Sequence, residues 1–122
     1  MSSTECHLRG PALLATAVNR ILAHPETWDQ RHWHCGTTHC VAGHCQIIGL
    51  GHENESAGSE ARELLGISAS DANWLFDARR TLPEIHGFAA ALLDGDAGYD
   101  RAGYNRDGKA LEPLVIPAEL LS

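Results

Sequence analysis

Between Pro11 and Gly95 the apolar residues recur at helical spacing in short blocks, each punctuated by a capping residue, a glycine or a proline. That punctuation permits several short helices and excludes long ones. Leu14, Val18, Ile21 and Leu22 share one helical face; Pro11 suits the first turn, and Pro25 stops the helix at about His24. A turn rich in Trp and His follows. A second helix is predicted from Thr37 or Thr38, either of which can cap it, to about Gly49, with Gly49 and Gly51 as stop signals. A third is predicted from Ser59 to Leu65, capped by Ser59 and stopped by Gly66. Ser68-Ala69-Ser70-Asp71 reads as a capping box for a fourth helix through Phe76, and Thr81-Leu82-Pro83-Glu84 as another. The latter opens a fifth helix, whose Ile85, Phe88, Ala89, Leu92 and Leu93 form a wide apolar stripe ended by Gly95.

At 122 residues and 43% hydrophobic content the chain can bury one core. The fold class that follows is mainly α: a compact single-domain bundle of about five short helices over residues 1–94, with an irregular Gly-rich tail over 95–122. The tail carries a five-residue repeat, G-Y-[DN]-R-x, in Gly98 to Ala102 and again in Gly103 to Asp107. Glycine at that density predicts turns. A calcium loop fails here: counting from Gly103, the position that needs a glutamate holds Leu114.

The formal net charge of −7 gives no basic footprint for nucleic acid, and Arg79-Arg80 is too short to supply one. No apolar run is long enough to span a bilayer. The first ten residues lack a basic region followed by an apolar stretch, so a cytoplasmic protein with reduced thiols is expected.

Function is concentrated between Trp28 and Cys45, W-D-Q-R-H-W-H-C-G-T-T-H-C-V-A-G-H-C. This window holds three of the four cysteines, four of the eight histidines and two of the three tryptophans. Thiols and imidazoles bind borderline metals and carry nucleophilic chemistry near neutral pH. On a regular second helix Cys40 and His44 share a face, whereas Cys45 lies about 140° around the axis from Cys40. Cys45 therefore reads as a buried small hydrophobe. Cys35 can fold back over the first helical turn, so Cys35, Cys40 and His44 are the core candidate ligands, with His34 or His39 as the fourth. Four N/S donors are the zinc pattern. An iron–sulfur cluster suits the facing of Cys45 poorly.

The competing reading is a metal-free thiol enzyme performing acyl or thiol transfer. Cys40 would be its nucleophile, with a thiol pKa lowered in the first helical turn, and His44 its base. A third reading is a protein-interaction module whose cysteines and tryptophans only pack. The sequence names neither a protein nor a small-molecule partner and leaves enzymatic activity open.

Trp28-Asp29-Gln30, Trp33, Cys35-Gly36-Thr37, Cys40 and Ala42-Gly43-His44 resemble a small-protein family widespread in actinobacteria and cyanobacteria, with the pattern W-D-Q-x-x-W-x-C-G-T-x-x-C-x-A-G-[HW]. Ala61 to Ile67, Trp74 to Phe76 and Thr81-Leu82 continue the likeness, which covers about residues 12 to 93. The resemblance implies the domain limits and no mechanism. Cys45 and the tail lie outside it.

Overall fold

The computed structural model describes residues 8–31, 34–35, 38–51, 57–95 and 111–120, with the backbone alone at 34, 35 and 38. Helix α1, Gly10–Ala23, has Pro11 in its first turn and buries Ala12, Leu13, Leu14, Ala15, Ala17, Val18 and Ile21. Small and apolar residues on nearly every side suit a helix enclosed by others. Accordingly, α1 packs against α2 (Val41–Leu50), α3 (Ala57–Leu65) and α5 (Leu82–Leu93), while α4 (Ala69–Leu75) packs on α3. The bundle is mainly helical, as the sequence predicts.

The stops and caps follow local chemistry. Gly51 and Gly66 take the left-handed conformation (φ 78° and 68°) at the ends of α2 and α3. The Ser68 side chain accepts the Asp71 N–H to cap α4. Thr81 and Glu84 form the reciprocal box that opens α5.

The start of α2 departs from expectation. Thr38 belongs to a two-residue strand, β2 (Thr38–His39), paired antiparallel with β1 (His34–Cys35) in the register His34↔His39 and Cys35↔Thr38. With the Thr38 backbone committed to that ladder, the helix begins at Val41, and Cys40 is its N-cap. Gly49 is not a stop but an interior position of α2: a Cβ there would meet Leu13 Cδ2 and Leu64 Cδ1, each at 3.2 Å. It lets α2 approach α1 and α3 closely. Helix α3 begins at Ala57, so Ser59 lies inside it rather than capping it.

The described part of the C-terminal segment is anchored to the bundle. Asn19 of α1 grips Leu114 through both backbone groups: Nδ2 donates to the Leu114 carbonyl (3.0 Å), and the Leu114 N–H donates to Oδ1 (2.7 Å). The His86 ring pairs with the Glu112 carbonyl at 2.8 Å, and Leu114, Ile116 and Leu120 pack on the core. The five-residue repeat lies outside the described residues. No described helix is long and apolar enough to cross a membrane.

Candidate functional site

The Cys/His window folds around the entry to α2. A parallel bridge pairs Trp28 with His39, and the Asp29 N–H donates to the His39 carbonyl at 2.9 Å, tying the 28–31 turn to β2. The chain then turns directly into α2, where the His44 N–H donates to the Cys40 carbonyl at 2.9 Å.

Cys40 is buried, and its Sγ accepts the Gly43 N–H at 3.4 Å, the role that Ser, Thr, Asp or Asn plays at most helix starts. Burial pushes its thiol pKa above the ordinary value, and the nearby Asp29 charge adds to the rise; the backbone N–H groups of residues 40, 42 and 43 offset part of it. The sequence placed Cys40 in the first turn, with a lowered thiol pKa. At the N-cap, desolvation outweighs the helix end, and the direction is reversed.

His44 is also buried, with Nε2 3.1 Å from the Thr27 carbonyl. A carbonyl only accepts, so this contact puts the ring proton on Nε2. The rings of His39 and His44 meet edge to face, 5.4 Å between centroids. Cys45 has no exposed surface, and burial raises its thiol pKa strongly, in keeping with its reading as a small hydrophobe. The structure therefore brings the His39 and His44 rings together beside the start of α2, where Cys40 is the N-cap. For His34 and Cys35 it gives the backbone register alone; their side chains, with Trp33 and His32, lie outside the described residues. Among the described residues no group of three His, Cys, Asp or Glu side chains is arranged to hold a metal ion.

The residue that organises this region is Gln30, which in the sequence is only one letter of the W-D-Q run. Its Oε1 accepts Trp28 Nε1–H and the Val41 N–H, both at 3.1 Å. Its Nε2 donates to the carbonyls of Leu75 (2.9 Å) and Asp77 (3.2 Å). Both donors and both lone-pair positions of the amide are thus occupied. Val41 is the first residue of α2 and Leu75 the last of α4, so one side chain satisfies an orphan donor at one helix end and an orphan acceptor at another. Gln46, fully buried in α2, likewise donates to Glu60 of α3. No sequence periodicity marks either glutamine.

The tryptophans act as the packing reading expects where they are described. Trp74 stacks on Phe88 with centroids 5.6 Å apart, and the Arg80 guanidinium lies 4.5 Å over its ring. In comparisons with known proteins, no family model, curated protein or solved structure matches this chain.

Proposed function

We propose that the segment from His34 to His44 binds a metal ion of the zinc type, with Cys40 as its thiolate ligand. The observation that supports this most directly is the setting of the Cys40 sulfur. It accepts a backbone N–H at a helix N-cap, where the helix dipole favours negative charge, yet burial makes a bare thiolate costly. A bound cation removes that cost and uses the same N–H bond.

Cys35 is the second thiolate in this reading. Its backbone pairs with that of Thr38, two residues before Cys40. His44 supplies a nitrogen, and His34 or His39 is the fourth ligand. Four protein ligands make the ion structural and the protein a partner-binding module; three leave an open position for hydrolytic chemistry. A reducing, cytoplasmic setting suits such a site.

The second reading is an interaction module whose thiols only pack, favoured by the burial of both Cys40 and Cys45. The metal-free thiol enzyme is the remaining alternative, with Cys40 as nucleophile and His44 as base.

Elemental analysis of protein purified without a metal-affinity tag separates the three. The metal reading expects about one equivalent of zinc, lost in Cys40→Ser, whose hydroxyl can still cap α2. Absence of zinc from the wild type, after dialysis against zinc at micromolar concentration, overturns it. Alkylation rates then decide between the others: a thiol enzyme has one cysteine that reacts fast below neutral pH, and a packed core has none.

A further inference from the structure

We propose that the groove between the 28–31 and 76–80 turns is a binding site for an oxyanion, a carboxylate or a phosphate, held on the side-on edge of the Arg80 guanidinium. The two turns are built alike. Asp29 Oδ1 accepts the Arg31 N–H and Nε–H, and Asp77 Oδ1 accepts those of Arg79. Gln30 fastens one turn to the other through the Asp77 carbonyl. Between them lies a cavity of about 410 Å³ lined by Trp28, Asp29, Gln30, Arg31, Ala78 and Arg80. A second cavity, about 250 Å³, shares Gln30, Arg31 and Ala78 with it.

Arg80 is held from two sides. Its guanidinium stacks on Trp74, and its Nη1 donates to Glu84 Oε2 at 2.9 Å. That leaves the edge formed by Nε and Nη2. Nε is buried and has no acceptor, and Nη2 bonds to no described residue. A buried guanidinium donor without an acceptor is rare in folded proteins, and two parallel N–H groups match the two oxygens of a carboxylate or phosphate. The Arg31 guanidinium, 75% exposed on the cavity wall, adds further donors. Trp28 supplies a flat apolar wall, so the ligand is an oxyanion on a small apolar body.

Arg31, Arg79 and Arg80 each already face a carboxylate, on Asp29, Asp77 and Glu84. Recognition therefore rests on directed hydrogen bonds rather than on net positive charge. The inference is independent of the metal reading, which uses other side chains.

The test is a titration of the full chain with benzoate and, separately, with phenyl phosphate, followed by the ¹H–¹⁵N signals of Arg80 Nε and the Trp28 indole. Saturable shifts of both signals are expected, and the tighter of the two probes identifies the source of the oxyanion. Arg80→Lys keeps the positive charge but removes the forked edge, and should weaken binding at least about ten-fold. Arg31→Gln, at an exposed position, should weaken it several-fold. The proposal is overturned if neither probe gives a saturable shift at Arg80, or if folded Arg80→Lys binds as tightly as the wild type. Should Arg80→Lys lose helix content, unchanged affinity in Arg31→Gln overturns it instead.

Discussion

Gln30 shows how much one neutral side chain can hold. Its four hydrogen bonds join the Trp28 indole, the first N–H of α2, the Leu75 carbonyl at the end of α4 and the Asp77 carbonyl just beyond it. Gln30→Glu is nearly isosteric but replaces two donors with an oxygen that faces two carbonyls. Each buried group left unmade costs about 1–3 kcal/mol, so the variant should lose about 3–5 kcal/mol at neutral pH by urea denaturation. A carboxyl among carbonyls has a raised pKa, and the protonated form restores one donor. Stability of the variant relative to wild type should therefore recover as pH falls towards 5. A loss below about 1 kcal/mol at pH 7 would show that the network is replaceable. Residue-scale meaning was only partly legible in the sequence. The burial of Cys45 followed from its angle around α2, because helix geometry is local. The partners of Gln30 lie 45 and 47 residues away at Leu75 and Asp77, and nothing local encodes them.

The helix boundaries were most legible where a cap is satisfied within its own turn. Thr81 with Glu84, and Ser68 with the Asp71 N–H, are self-contained signals. The start of α2 was misplaced because the two threonines offered a better-known cap than cysteine, while the competing ladder with His34 and Cys35 is a tertiary event. Gly49 carried an ambiguous signal for a related reason: a glycine that ends a helix and one that admits a neighbouring helix look the same in sequence. The structure makes them separable by mutation. Gly49→Ala gains about 1 kcal/mol of helix propensity and pushes against two flexible leucine methyls, so it should fall within about 1 kcal/mol of wild type. Gly49→Leu cannot fit between Leu13 and Leu64 and should cost at least about 2 kcal/mol in chemical denaturation. Equal stabilities for the two variants would mean that α2 does not approach its neighbours this closely.

For the whole molecule, the main-helical bundle was readable from periodicity and punctuation, and the return of residues 111–120 to the bundle was not. A short stretch with Pro113 and Pro117 looks like tail in isolation. Its place is decided by Asn19, which bonds both backbone groups of a residue 95 positions later. Asn19→Ala should speed amide exchange at Leu114 by about ten-fold or more and cost about 1–2 kcal/mol, leaving the amides of α4 unchanged. Unchanged exchange at Leu114 would assign the docking to Leu114, Ile116 and Leu120 alone.

This return contact also orders events during synthesis. The face of α1 and α5 that receives Leu114 and Ile116 is complete once Leu93 has been made, yet its cover is translated later. At 5–20 residues per second a ribosome leaves that apolar face open for on the order of a few seconds in every copy made. The nascent chain is therefore most prone to association with other chains in the interval between the synthesis of Leu93 and that of Ile116.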